Sequence, residues 1–220
     1  MKYLNICLKI RLKLIFYKSI IKLYLSKYCN IYNTLIKMSS TQGKIDSYIR
    51  SYLEFWGISW ENRCSNAAEN GSLRNLKIAL DAGCPCDWRT CANAAKSGHL
   101  HVLQWARENG CPWDKRTCSR AAENGHLHIL QWARDNGCPW DENTCSSAAE
   151  NGRLDVLQWA RENGCPWDEE TCASASMGGH LEVLQWARTN GCPWDERTRE
   201  YAVENEHLDV LQWAQANGCP

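Results

Sequence analysis

The chain has 220 residues and a formal net charge of zero, a length that permits one well-packed core or two small ones. The charge is divided unevenly, because residues 1–37 carry eight Lys or Arg and no acid, whereas the remainder carries seventeen basic and twenty-five acidic side chains. This acidic remainder argues against a large nucleic-acid interface, whose affinity would come from Lys and Arg on phosphates.

Residues 1–37 form a basic N-terminal extension rich in Lys, Ile, Leu and Tyr. No uncharged run approaches the ~18 residues of a membrane span, and no uninterrupted apolar run precedes a small-residue cleavage site. Three interpretations stay open: a disordered segment, a basic amphipathic helix on a membrane surface, and a start codon assigned too early, with Met38 as the natural first residue. The second interpretation would make the chain a membrane-tethered adaptor.

Residues 38–60 are predicted to be an N-terminal capping helix for the segment that follows. The stretch LEFWGISWENRC at 53–64 imitates a connector that recurs downstream, such as NGCPWDKRTC at 109–118, with one residue deleted. The residues before this imitation therefore read as half of a repeated unit. Such atypical ends are typical of repeat arrays, which need a capped terminus.

From residue 61 onward a unit recurs every 27 residues. The Cys-Pro pairs show the period most plainly, at Cys84, Cys111, Cys138, Cys165, Cys192 and Cys219. A fixed period over six copies indicates an array of supersecondary units. We expect the array to occupy residues 61–220, with repeats at about 64–90, 91–117, 118–144, 145–171, 172–198 and 199–220.

One unit, TCSRAAENGHLHILQWARDNGCPWDEN at 117–143, predicts a pair of short antiparallel helices. Asp114 is a favourable N-cap for the first helix. Gly125 is free to adopt positive φ and separates the two helices. Gly137 ends the second helix, and Pro139 cannot continue it. A single pair cannot bury its apolar face, whereas stacked pairs share a continuous core.

These units resemble ankyrin repeats, whose pattern runs roughly TPLHLAAxxGHLEVVxLLLxxGADVN. The matching positions are Ala121-Ala122, Gly125-His126-Leu127, Ile129-Leu130 and Gly137. The period of 27 is shorter than the 33 residues of the family, so the β-hairpin finger should shrink to a short turn. This CPWD-type variant is similar to ankyrin expansions of large DNA viruses and protists. The resemblance implies an all-α, helical-hairpin solenoid of about six stacked repeats, with the β-hairpin fingers shortened or absent.

The resemblance also implies that positions that differ between repeats line a concave face that binds a protein partner. Turn residues after each Trp-Asp pair change from basic to acidic along the stack, and the first helices offer further varied positions at Ala92-Asn93, Ser119-Arg120, Ser146-Ser147, Ala173-Ser174 and Glu200-Tyr201. The predicted partner-binding residues are Trp88, Arg89, Asn93, Lys115, Arg116, Arg120, Glu142, Asn143, Glu169, Glu170, Glu196, Arg197 and Tyr201. Trp88 and Tyr201 are the expected anchors. The alternative is that these are solvated residues under no constraint.

The fourteen cysteines are predicted to be mainly free thiols, with the Cys118 column acting as small buried hydrophobes. Helices pack ~8–10 Å apart, whereas a disulfide needs Cα atoms within about 7 Å, so disulfides along one column are disfavoured. Zinc needs clustered ligands, which the spacing does not supply. Haem binding by the Cys-Pro pairs is an alternative to their role in the repeat. We expect no metal or cofactor, and a reducing compartment, the cytoplasm or a host cytoplasm.

Nine of the twelve tryptophans form two columns that are predicted to lie in the core. Aromatic side chains can stack on the bases of single-stranded nucleic acid, but such a site needs an exposed groove with interleaved cations. The histidine column, which includes His126, is expected to cap the second helix. No nucleophile elbow, phosphate loop or paired-carboxylate arrangement is present in the sequence. The sequence therefore predicts a non-catalytic, monomeric interaction scaffold; an enzyme would need a convergent polar pocket.

Overall fold

The computed structural model describes residues 62–220. This part of the chain contains twelve α-helices and no strand. The helices are α1 (Arg63–Glu69), α2 (Leu73–Asp81), α3 (Trp88–Lys96), α4 (Leu100–Glu108), α5 (Lys115–Glu123), α6 (Leu127–Asp135), α7 (Glu142–Glu150), α8 (Leu154–Glu162), α9 (Glu169–Met177), α10 (Leu181–Thr189), α11 (Arg197–Glu204) and α12 (Leu208–Ala216). The predictions for residues 1–37 and 38–60 lie outside the described residues.

Consecutive helices pair into six hairpins, from α1 and α2 to α11 and α12. The first helix of each hairpin packs against the first helices of its neighbours, from α1 against α3 to α9 against α11. The connectors between hairpins are short and contain no strand in the described range. The predicted all-α solenoid of about six stacked repeats, without extended β-hairpin fingers, is therefore confirmed.

The helix ends follow the predicted capping pattern. The Asp114 carboxylate accepts a hydrogen bond of 2.9 Å from the backbone N–H of Arg116, which satisfies one of the unpaired donors at the start of α5. The same bond recurs at Asp87, Asp141, Asp168 and Asp195. Between α5 and α6, Gly125 has a φ of +73°. The Asp114 cap and the glycine break are confirmed.

The shared core is made of leucine, valine, alanine and cysteine side chains. Leu130 and Cys118 have no exposed surface, and eleven of the twelve cysteines of the described range are buried. The Cys118 thiol hydrogen-bonds with the Cys138 thiol, and this bond together with burial raises the pKa of Cys118. The prediction that this column acts as buried small hydrophobes is confirmed.

One pair of cysteines among residues 62–220 is bonded, Cys86 to Cys111, which the sequence did not predict. Disulfides were disfavoured between cysteines at equivalent positions of neighbouring repeats. Cys86 belongs to no such column, since it stands where Trp113 stands one repeat later. The two Cα atoms lie 5.4 Å apart, within the range that a disulfide needs. The tryptophan position of one connector thus lies beside the Cys-Pro position of the next connector.

The prediction that the tryptophans lie in the core was wrong. They are part-exposed, because the buried space between hairpins is filled by alanine, leucine and cysteine. Trp113 packs edge-on against Trp132, with ring centroids 5.9 Å apart, while the guanidinium of Arg107 lies over the Trp113 ring at 4.1 Å. Arg107 also donates a hydrogen bond to the Cys111 carbonyl.

We call this arrangement the arginine–tryptophan clamp. It consists of an arginine near the end of a second helix, the tryptophan of the following connector, and the tryptophan of the next second helix. Four consecutive seams between hairpins carry it, with the pairs Arg107–Trp113, Arg134–Trp140, Arg161–Trp167 and Arg188–Trp194. Since both the arginine stacking and the edge-on contact use the indole ring, these tryptophans have a structural role at the seams.

The histidine column joins neighbouring repeats rather than capping its own helix. His126 makes no side-chain cap to α6; its Nε2 lies 3.1 Å from the carbonyl oxygen of Lys96, at the end of α3. The ring also lies against Gly98, where an added Cβ would be 3.0 Å from the imidazole. The capping prediction was wrong because the imidazole extends toward the preceding hairpin, where the exposed carbonyls of a helix C-terminus accept hydrogen bonds.

The described range has neither a metal-binding cluster nor a helix that could span a membrane. Residues 62–220 contain no group of three or more His, Cys, Asp or Glu that could hold a metal ion. None of the helices in this range has the length and apolar character needed to traverse a bilayer. The Cys-Pro thiols face inward, and the Cys138 thiol donates to the Asp114 carbonyl at 3.5 Å.

Candidate functional site

The predicted partner-binding residues lie on the first helices of hairpins two to six, near the first, second and sixth positions. We call this surface the first-helix face. The exposed members are Arg89, Lys115, Arg116, Arg120, Glu142, Asn143, Glu169 and Glu196, and the part-buried members are Trp88, Asn93, Glu170, Arg197 and Tyr201. All of these positions therefore have solvent contact.

Four other first-helix residues were expected to be exposed, and this was wrong. Ala92, Ser146, Ala173 and Ser174 are buried, none with more than 8% of its surface exposed. Ala92, Ser146 and Ala173 hold the fifth position of first helices that pack against their neighbours, whereas Ser119 at the same position of α5 is part-exposed. Ser174 is enclosed although Arg120, at the equivalent position of α5, is exposed.

A groove of about 520 Å³ lies between α5 and α7 on this face. Its lining includes four of the predicted residues, Lys115, Arg116, Arg120 and Asn143. It also includes Ser119 and Ser147, which belong to the varied first-helix positions, and four residues that were not predicted, Glu123, Asp141, Glu150 and Asn151. Glu123 lies three positions from Arg120 and Glu150 seven positions from Asn143, so extending the exposed stripe by helical spacing would have found these two. Asp141 and Asn151 flank α7 and carry no such spacing signal.

Ion pairs organise the cations of the groove. The Lys115 ammonium lies 2.5 Å from the Asp141 carboxylate, and this hydrogen bond together with the carboxylate charge raises the pKa of Lys115. Arg120 pairs with Glu123 at 2.7 Å on the same helix. Arg116 is 3.8 Å from Asp114, whose other carboxylate oxygen caps α5. Arg116 therefore has the weakest ion pair of the three cations.

Trp88 and Arg116 form a contact between neighbouring first helices. The Arg116 guanidinium carbon lies 4.0 Å from the Trp88 ring centroid, and the guanidinium of Arg89 lies 5.9 Å from the same ring. A guanidinium that lies over an aromatic ring still has its N–H groups at its own edge. There it can bind a carboxylate by two parallel hydrogen bonds. Trp88 thus positions Arg116, while part of its own surface stays exposed, and its role as an anchor stays a prediction.

The acidic end of the face is partly neutralised. Arg197 lies 2.5 Å from Glu170 and 2.8 Å from Asp195, and the hydrogen bond that its guanidinium donates to Asp195 raises the pKa of Arg197. Glu142 and Glu169 stand in the first turns of α7 and α9, where a carboxylate interacts favourably with the helix N-terminus. The change from basic to acidic residues is therefore weaker at its C-terminal end than the sequence alone indicates.

A solved structure, the human ASB11 ankyrin repeat domain, is similar to this chain with a TM-score of 0.56. The match covers 71% of this chain and 84% of that chain at 14% sequence identity. The array has an ankyrin-type fold. No protein-family model matches the sequence, and no curated protein does. At this identity the likeness establishes the fold alone, and it confirms that the units are ankyrin-type repeats.

Proposed function

We propose that the array is a non-catalytic scaffold that binds a protein partner through the first-helix face. The observation that supports the proposal is the groove between α5 and α7, with a volume of about 520 Å³ and an entirely polar set of lining residues. Both walls are helices held by aspartate caps and by stacking against their neighbours. Because the charged groups are held in place before binding, little ordering is required of them when a partner arrives.

The chemistry of the groove favours a protein over a nucleic acid or a small apolar molecule. Three cations and three carboxylates line it, together with serine and asparagine. The carboxylates would repel a phosphate backbone, whose binding depends on neutralising cations. Small-molecule pockets are lined mostly by apolar side chains. Protein surfaces carry charges of both signs, and complementary placement of such charges provides specificity and speeds association.

Within this face, Arg89 and Arg116 are proposed to engage an acidic segment of the partner. Both side chains are at least half exposed, and both lie beside Trp88 at one end of the face. Lys115 is held more firmly, by Asp141. Charges at the rim of an interface act mainly on the association rate and its salt dependence, so binding should weaken as salt concentration rises.

The test is quantitative capture of partners on the immobilised full-length chain. Arg89→Glu with Arg116→Glu changes the charge on the face by −4, and Arg74→Glu with Lys77→Glu makes the same change on exposed positions of α2. The proposal expects the first pair to reduce capture and the second pair to leave it near the wild-type level. Equal capture by both double variants, with both folded by circular dichroism, would show that the first-helix face is not the binding surface.

A membrane-tethered adaptor is the second candidate, and it rests on the eight basic and no acidic residues of 1–37. Basic segments are attracted to anionic lipid surfaces. Co-sedimentation with phosphatidylserine vesicles, compared between the full chain and a chain that starts at Met38, tests it. Binding that depends on residues 1–37 supports tethering, and equal co-sedimentation of the two chains refutes it.

We also propose that the chain is a monomer of the cytoplasm, or of a host cytoplasm. Most cysteines of the described range are buried and lie outside the Cys86–Cys111 bond, which agrees with a reducing compartment, where most thiols stay reduced. The kinship with short CPWD-type ankyrin expansions of large DNA viruses and protists stays a prediction. Size-exclusion chromatography with light scattering would test the monomer, and localisation of a tagged chain would test the compartment.

A further inference from the structure

The seam between the first two hairpins is built differently from the four that follow it. Leu80 stands at the arginine position of the clamp, and Cys86 stands at its first tryptophan position. Instead of a stacked guanidinium and indole, this seam has the bond between Cys86 and Cys111. At the remaining clamp residue, Trp105, the Lys77 ammonium lies 5.4 Å from the ring centroid. The covalent bond thus lies at the described seam where the clamp is missing.

We propose that Cys86 and Cys111 form a redox latch that ties the connector between the first two hairpins to the far end of the second hairpin. When oxidised, the latch joins the connector before α3 to the connector before α5. When reduced, the first seam has neither the bond nor the clamp and is held by helix packing and by the hydrogen bonds that Arg89 donates to Asn62 and Asn93 donates to Ser65. The first hairpin therefore opens more readily in the reduced chain, whereas the clamped seams do not change.

The exposure of the two sulfurs sets the order of the chemistry. Cys86 is part-exposed, and Cys111 has no exposed surface. With oxidised glutathione as the oxidant, the Cys86 thiolate attacks one glutathione sulfur, forms a mixed disulfide and releases one glutathione. The Cys111 thiolate then attacks the Cys86 sulfur and releases the second glutathione. The two cysteines lose two electrons and two protons, and one glutathione disulfide becomes two glutathione thiols.

Cys91, which lies close to this bond, does not compete effectively for it. The Cys91 thiol is 3.8 Å from the Cys111 carbonyl oxygen, close enough to raise the question of disulfide exchange. Burial raises the pKa of Cys91 to about 12, so almost none of it is thiolate at neutral pH, and the thiolate is the form that attacks disulfides. Cys91 therefore does not exchange readily into the bond between Cys86 and Cys111.

The latch lies next to one end of the first-helix face. Cys86 directly precedes Asp87, the N-cap of α3, and Cys111 is followed three residues later by Asp114, the N-cap of α5. These caps fix the starts of the helices that carry Trp88 and Arg116. An oxidised latch should therefore hold that contact, and any effect on partner binding rests on the proposed function, whereas the latch itself does not.

The experiment equilibrates the full-length chain with reduced or oxidised glutathione and quenches it with acid. Differential alkylation and mass spectrometry then identify the bonded cysteines, and hydrogen exchange is measured on α2, with α6 as the internal control. We expect a Cys86–Cys111 bond after oxidation and exchange in α2 slower by about tenfold or more. Exchange in α6, which precedes a clamped seam, should not change.

Two variants separate the latch from general effects of oxidation. Cys86→Ser should exchange like the reduced wild-type chain in both buffers. Leu80→Arg with Cys86→Trp places a clamp at the first seam, so α2 should be protected in both buffers. Failure to form the Cys86–Cys111 bond under oxidation would overturn the proposal, and so would equal α2 exchange in the bonded and reduced wild-type chain. Neither outcome depends on a partner, so the proposed function is tested separately.

Discussion

Arg134 lies over the ring of Trp140, with its guanidinium carbon 4.0 Å from the ring centroid, and it also donates a hydrogen bond to the Cys138 carbonyl. One side chain thereby connects the end of α6 to two residues of the following connector. The repetition of this relationship at four seams gives the solenoid a set of surface contacts that is independent of its buried core.

Removing one clamp should destabilise the array measurably. Arg134→Ala removes a cation–π contact and a charged hydrogen bond, and we expect a loss of about 1–2 kcal/mol in the free energy of unfolding. Arg120→Ala is the matched control, since its exposed ion pair with Glu123 should contribute less than about 0.5 kcal/mol. Urea denaturation of the full chain measures both, and similar losses for the two variants would contradict a structural role for the clamp.

A pair of glycines tests the contact between repeats made by His126. Gly98 and Gly110 have the same φ of +81°, so alanine strains the backbone equally at both positions. A Cβ at Gly98 would be 3.0 Å from the His126 ring, whereas a Cβ at Gly110 meets nothing within 4 Å. Gly98→Ala should therefore cost about 1 kcal/mol more, because it displaces the hydrogen bond to Lys96.

The measurement for the glycine pair is thermal or urea unfolding of both single variants. In the presence of His126→Ala, the difference between Gly98→Ala and Gly110→Ala should disappear, as in a double-mutant cycle. If the difference persists without the imidazole, its cause lies in the local backbone and not in the contact between hairpins.

Buried cysteines should make the array sensitive to alkali. The folded pKa of Cys91 is raised from 9.0 to about 12 by burial, so the folded state keeps a proton that the unfolded state releases above pH 9. Stability is therefore fully present below about pH 9 and falls as pH rises toward 12, by about 1.4 kcal/mol per pH unit for one cysteine.

Cys91→Ala removes one such titrating group. In reducing buffer its loss of stability between pH 9 and pH 10 should be smaller than that of the wild-type chain by about 1 kcal/mol. Val102→Ala, which trims a core side chain that is also fully buried, should leave the pH dependence unchanged. Identical pH dependence of the Cys91→Ala and wild-type chains would refute the raised pKa.

Most of the fold was predictable because it depends on local chemistry repeated at a fixed interval. Asp114, Gly125 and Gly137 determine helix ends through interactions with adjacent backbone, and each repeats at intervals of 27 residues. The burial of the Cys118 column followed from its small size on the apolar face of the helix. Such features need no knowledge of how neighbouring hairpins are placed.

The errors concern contacts across seams. The sequence does not show that Arg107 stacks on Trp113 or that Cys86 reaches Cys111, since both depend on how two connectors face each other. The face was predicted at its turn residues, but the groove also needs Asp141, whose carboxylate both caps α7 and holds Lys115. A residue such as Asp141 shows its role as a helix cap in the sequence, but the sequence carries no signal of its second contact.

The most direct test of the proposed interaction surface is site-specific photo-cross-linking on the full chain. A benzophenone amino acid replaces Asn143, in the groove, and separately replaces Glu162, an exposed residue at the end of α8. After illumination in a lysate of the organism of origin, mass spectrometry identifies the adducts. We expect a discrete protein adduct from position 143 that is lost with Arg89→Glu and Arg116→Glu. We expect no such adduct from position 162. An adduct from position 162 alone would contradict binding through the first-helix face.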